Sequence, residues 1–277
     1  MKSKYFLLII CAVVLSFDFG TDKANNPPNS NNRGDKDSIN IKITAPPEYL
    51  NLDPFYKKYV NANGFPVISS NKAPDEALIK AHDIIVYMTS LLPPDVVAKM
   101  KETGVRVGVM ARYEGTTDIP EHKYLENDTS LNWDVRARGL GGSLRLPLTT
   151  CAEENLLCYQ IDKYHAEDIL IHEFAHTIHP VGIKLTNPEI DSLLQNALDN
   201  AIADRKWQNT YAATNIREYW AEGVQDWFNV NAEVPEPDGK HNFVNTREEL
   251  KEYDLGLYNI LKEYFPEDTM KISCHCE

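Results

Sequence analysis

The chain has 277 residues, 43% of them hydrophobic, with a formal net charge of −13 and a sequence pI near 5.1. That length suits one large domain or two small ones, with a sizeable core. The acidic balance argues against a general nucleic-acid-binding role, because phosphate contacts need surplus Lys and Arg; it permits basic substrates without requiring them.

Lys2 and Lys4 precede an apolar run from Tyr5 to Leu15, the order of charge and hydrophobicity found in a secretory signal. The run is too short to span a bilayer. Small side chains at Val14 and Ser16 place cleavage after Ser16, with sites near Gly20 or Ala24 as alternatives. Residues 1–16 therefore read as a signal peptide, the mature protein as secreted, and no membrane span remains once the signal is removed. Lipoprotein anchoring through Cys11 is the lesser alternative, since Leu8, Ile9 and Ile10 fit poorly the small residues such a signal needs. Residues 17–38 form a polar spacer rich in Asn and Pro, expected to be disordered, and the folded domain spans 39–277.

The domain opens with a short alternating strand at Ile39–Ile43. Pro74–Leu92 reads as a helix with Ala77, Leu78, Ala81, Ile84, Ile85 and Met88 on its apolar face, followed by a second helix opened by Pro93 and Pro94 and stopped by Gly104. Val105–Ala111 is the next strand, with Val105, Val107 and Val109 on one face. Asp118–Asp134 is polar and loop-like and carries a glycosylation sequon at Asn127–Thr129. Gly139–Thr149 has the alternation of an edge strand, where Pro147 is tolerated and where an extended peptide could add as a further strand; a surface hairpin explains it equally well.

Beyond the signal stand four cysteines, Cys151, Cys158, Cys274 and Cys276, an even number that favours two disulfides in an exported chain. Pairing of Cys151 with Cys158 is slightly preferred over a crossed pairing that staples the C-terminal tail to the 151–158 loop. A metal site at Cys274, His275 and Cys276 ranks below either.

The centre of the chain is DILIHEFAHTIHP, Asp168–Pro180, in which His172, Glu173 and His176 form the pattern H-E-x-x-H. Residues four apart lie about 40° apart around a helix, so the two histidines project from one face on successive turns and can grip one metal ion. Imidazole suits Zn²⁺, and Glu173 stands beside the metal, where it can take a proton from water. Ile169, Leu170, Ile171, Phe174, Ala175 and Ile178 bury the rest of the helix. Asn187 and Pro188 open another helix whose stripe, Ile190, Leu193, Leu194, Ala197, Leu198, Ala201 and Ile202, is expected in the core.

Two histidines leave a tetrahedral ion short of a protein ligand. His179 lies too near the helix end to converge, and His165 is roughly 10 Å away along the axis. A downstream carboxylate is the better prospect. Asn215 caps a helix carrying Glu218, Glu222 and Asp226 at i, i+4 and i+8; an acidic stripe is ordinarily a solvated face, but Tyr219, Trp220, Val224, Trp227 and Phe228 make the remainder unusually apolar, which directs the first carboxylates inward. Thr246 and Glu249 form a capping box before a final amphipathic helix running to Phe265.

HEFAH, then Tyr211, then Glu218 seven residues later within Glu218-Tyr219-Trp220-Ala221-Glu222, resembles the zinc metallopeptidase family typified by the anthrax lethal factor catalytic domain and the secreted Pro-Pro endopeptidases. The resemblance implies an α+β, zincin-like domain: a small mixed sheet with an edge strand over the active-site helix, followed by a mainly helical C-terminal lobe. It implies one Zn²⁺ per chain bound by His172, His176 and Glu218, Glu173 as general base, Tyr211 as donor to the oxyanion, and Glu222 holding a ligand histidine in its tautomer. The function expected is zinc-dependent hydrolysis of peptide bonds in a peptide or protein substrate. The alternatives are a binding or toxin-like module that uses zinc only for stability, and a zinc amidase acting on a non-protein amide.

Overall fold

The computed structural model describes residues 41–267 and Cys276. The signal peptide and spacer expected over residues 1–38 lie outside the described residues, as does Cys274.

A hairpin of β1 (Lys58–Ala62) and β2 (Phe65–Ser69) comes first, ahead of the helices. Its turn is Asn63-Gly64, both at positive φ (54° and 95°), the pair that a two-residue hairpin turn demands. The strand expected at Ile39–Ile43 does not form over its described part. Ile41 and Ile43 lean on the core, and a single bridge joins Thr44 to Tyr59.

Helices α1 (Asp75–Leu91) and α2 (Pro94–Thr103) follow as expected, and Gly104 closes α2 at φ 80°, where a residue without Cβ carries little strain. They carry the chain over to β3 (Arg106–Met110), which pairs in parallel with β2. A short helix α3 (Trp133–Arg136) precedes β4 (Gly139–Leu140), and β5 (Leu148–Ala152) runs directly into α4 (Glu153–Leu156). The sheet order is β1-β2-β3-β5-β4, with antiparallel pairs at both ends and parallel pairs in the middle. The segment expected as one edge strand is thus two strands. Only Gly139–Leu140 is an edge, while Pro147 precedes an interior strand and its carbonyl accepts from the Arg106 amide.

The remainder is helical: α5 (Ile169–Ile178), which passes into a wide turn over His179–Ile183, α6 (Lys184–Thr186), α7 (Ile190–Ala203), α8 (Ile216–Phe228), α9 (Arg247–Tyr253) and α10 (Leu255–Lys262). The described chain is therefore α+β, a five-stranded mixed sheet followed by helices. Among the described residues no helix is long and apolar enough to cross a membrane.

Three further expectations differ from the structure. The α7 stripe buries Ile190, Leu194, Leu198 and Ala201 but leaves Leu193 and Ile202 exposed, because only one side of the helix meets the core. The last helix is two: Asp254 breaks it, its Oδ2 accepting from Trp207 Nε1 (2.8 Å) and Tyr219 OH (2.6 Å) while Oδ1 caps α10 through the Leu257 amide. Finally, Cys151 does not pair with Cys158. It lies inside β5, fully buried and free, and Cys158 bonds instead to Cys276 across 118 residues, the staple between tail and loop.

Candidate metal centre

The site is built where α5 meets α8. Asp168 caps α5 by accepting from the Ile171 amide (3.0 Å), and Asn155 accepts from the Ile169 amide (2.9 Å), so two buried side chains take up donors at the helix start. Asn215 caps α8 by accepting from the amides of Arg217 and Glu218. Trp220 Nε1 donates to the Ala175 carbonyl (2.9 Å), fixing the rotation of one helix against the other. Glycine brings β4 onto the same helix. A Cβ at Gly139 would stand 2.9 Å from Glu173 Cγ, and one at Gly141 only 2.3 Å from His176 Cβ, so no larger residue lets the strand pass this close.

Those contacts bring His172, His176 and Glu218 together. His176 Nε2 lies 3.1 Å from His172 Nε2 and 3.1 Å from Glu218 Oε2, and the third side of the triangle is 3.4 Å. Ligand atoms bound tetrahedrally to zinc are about 3.3 Å apart, from bonds of about 2.0–2.1 Å. The chemistry of the donors agrees with the spacing. His172 Nδ1 stands 2.7 Å from Gln225 Oε1, so it carries the proton, and its Nε2 lone pair is turned toward the Glu218 carboxylate. Such atoms repel one another unless a cation lies between them. Without a metal that cation is a proton: burial opposes the charged imidazole, but Glu218, Glu173 and Glu222 outweigh it and raise the His172 pKa to about 10. The residues present therefore fit a small, borderline-soft dication.

Glu173 lines the same cleft, half-buried beside the two histidines. Tyr211 lines the opposite wall, its hydroxyl accepting from Arg136 Nη2 (2.9 Å) and its amide donating to the Lys240 carbonyl (2.7 Å). Glu222 is buried with its Oε1 3.6 Å from His172 Nδ1, beyond hydrogen-bond length; the hydrogen bond goes to Gln225. Gln225 was not visible as a partner in the sequence, although it stands seven residues after Glu218, two turns along the same helix face. Also missed was the pair His241 Nε2 and Glu167 Oε1, 3.2 Å apart in the cleft wall. His179, set aside as a ligand, bonds Asp191 at 2.9 Å.

The cleft has a volume of about 590 Å³ and opens to solvent above the triad. Fold and site together define an α+β domain with a His-His-Glu cluster that could hold a metal ion under the edge of a mixed sheet. No family model matches the chain, and no curated protein sequence does. The structure is similar to that of the Pro-Pro endopeptidase from Paenibacillus alvei, with 15% sequence identity over 71% of this chain and 96% of that one and a TM-score of 0.46.

Proposed function

We propose that the protein is an exported zinc-dependent endopeptidase. The observation that carries this reading is the triangle of His172, His176 and Glu218 open to a cleft that also holds Glu173. A purely structural zinc site is normally closed by four protein ligands, whereas three ligands beside an uncommitted carboxylate leave a position for substrate and water. Export is supported by the signal-like residues 1–16 and by the Cys158–Cys276 bond, which an oxidising compartment allows to form.

Zinc held by His172, His176 and Glu218 would supply acidification of a water and polarisation of the scissile carbonyl. Gln225 accepts the Nδ1 proton of His172 and so presents Nε2 as the ligand atom. Glu173 takes the proton from the attacking water and returns it to the leaving amine. Tyr211 donates a hydrogen bond from its hydroxyl to the developing oxyanion, while Arg136, bonded to the oxygen rather than the proton, holds the phenol in place. The outer edge of the sheet at β4 offers the backbone against which an extended peptide lies across these groups.

The test is cleavage of a diverse peptide library by the zinc-loaded protein beside Glu173→Gln, read by mass spectrometry. Glu173→Gln is expected to retain zinc and lose turnover by about 10²–10⁴-fold, the usual worth of a positioned general base. Equal hydrolysis by both proteins would remove Glu173 from its role, and no hydrolysis by the folded, zinc-loaded parent would remove the peptidase reading.

A further inference from the structure

Unlike the chain as a whole, the cleft carries no excess of acidic side chains: Glu167, Glu173, Glu218 and Glu222 line it. Four basic side chains line it: Arg136, Arg138, Arg217 and Lys240. Arg138 is neutralised by Glu154, at 2.5 Å from Nε and 3.0 Å from Nη2. The other three have no carboxylate within ion-pair distance among the described residues. Arg136 meets the neutral phenol of Tyr211, and Lys240 stands 5.8 Å over the Tyr164 ring. Of the cleft's carboxylates, Glu167 pairs with His241, Glu218 and Glu222 face His172, and Glu173, which lines the same cleft, forms no ion pair with any of these three cations among the described residues.

Elsewhere some cations are paired, as Lys58 with Asp75, Lys123 with Glu126 and Lys184 with Asp191, while others, such as Lys42, Lys80 and Arg145, have no carboxylate within ion-pair distance among the described residues. The chain has 41 acidic against 28 basic residues, so carboxylates outnumber the cations that could take one as a partner. Here three exposed cations come from three separate segments, α3, the first turn of α8 and the loop around Lys240, and converge on one cleft without one. We infer that the substrates are peptides with an acidic side chain next to the scissile bond or one residue from it, selected by Arg136, Arg217 and Lys240. The inference rests on the peptidase reading and names its substrate class. Arg136 sets the position, because its guanidinium touches the hydroxyl assigned to the oxyanion. An acidic side chain entering the cleft gains charge-assisted hydrogen bonds there, while the surrounding anionic surface repels the same peptide everywhere else.

The experiment uses the zinc-loaded full chain with a peptide series identical except for Asp or Glu, Asn or Gln, and Lys around the cut found in the library. The acidic series is expected to be cleaved with the highest kcat/KM, with the advantage shrinking as salt rises. The double charge reversal Arg217→Glu with Lys240→Glu, both on exposed side chains, should shift the acidic-to-basic kcat/KM ratio by about tenfold or more toward basic peptides. A ratio that the reversal leaves unchanged, or a parent that shows no preference for acid, overturns the inference while leaving the peptidase reading intact. Binding of the same series to Glu173→Gln, followed by fluorescence anisotropy, separates the two. Charge-selective binding abolished by the reversal, with no cleavage by the parent, supports the acidic ligand and overturns the peptidase. Charge-blind binding overturns the inference whatever the turnover.

Discussion

One stripe of α8 carries three carboxylates at four-residue spacing, and its two ends behave oppositely. At the first turn, Glu218 is partly buried, which by itself raises its pKa, but hydrogen bonds and charge from His172 and His176 outweigh this and hold it well below the ordinary carboxylate range. Two turns on, Asp226 is fully buried, and burial pushes its pKa well above the usual value, opposed mainly by a hydrogen bond from Asn231 (2.8 Å). Glu222 lies between them, raised by burial and drawn back by His172, and shares Asn231 Nδ2 at 3.1 Å. The same side-chain chemistry is thus held toward its charged form among imidazoles at one end and pushed toward its neutral form by burial at the other. What separates them is the facing helix: α5 offers imidazoles to Glu218, and Asp226 has only an amide.

The largest way to break this contrast is at the ligand end. Glu218→Ala is expected to weaken zinc binding by more than the about 10–100-fold that removal of an outer partner costs, measured by competition with a chelator dye. Gln225→Leu removes the acceptor for His172 Nδ1 without touching the triangle, and its expected loss lies within that 10–100-fold range. Unchanged affinity in Gln225→Leu would mean that Glu222, moving in from 3.6 Å, holds the tautomer instead.

A third test uses pH. In the metal-free protein His172 has a folded pKa raised to about 10, so its contribution to stability is fully present below the unfolded value of about 6.5 and is lost as pH rises through 10. Zinc requires the neutral imidazole and displaces that proton. Metal-free protein should therefore lose thermal stability between about pH 6.5 and 10, while zinc-loaded protein loses much less over the same window, and zinc affinity should rise with pH. Parallel pH profiles for the two forms would contradict the assignment of His172 as a ligand.

The smallest effect is at the far end of the stripe. A carboxyl whose folded pKa is raised costs nothing below its unfolded value of about 3.9 and costs progressively more as pH climbs toward the folded value. Asp226→Asn removes that cost. Tm should rise at pH 7 by about 2–4 °C, the shift that 1 kcal/mol gives a domain of this size, and the gain should vanish near pH 4. A gain of equal size at both pH values would assign the effect to packing.

Much of the site was legible because it depends on local spacing. The i, i+4 histidines, the Asn215 cap and the position of Glu218 relative to Tyr211 are all properties of short segments, and the structure brings them to one cleft. What depends on contacts distant in sequence was not legible. Gln225 meets His172 across 53 residues and Asp254 is buried by Trp207 and Tyr219, while the Cys158–Cys276 bond, across 118, settles a choice of pairings that the sequence left open. The β1–β2 hairpin is a different case, since Asn63-Gly64 between two apolar runs is a local turn signal that was present and passed over. Gly139 in β4 and Gly141 just after it read as strand alternation, whereas their reason is the closeness of α5, visible only once helix and strand are placed together.

The most direct measurement is a crystal structure of the zinc-loaded protein with anomalous data collected across the zinc edge. The account predicts one peak per chain, bonded at about 2.0–2.2 Å to His172 Nε2, His176 Nε2 and a Glu218 oxygen, with no fourth protein ligand. A zinc held by other residues, or a site closed by a fourth side chain, would contradict it.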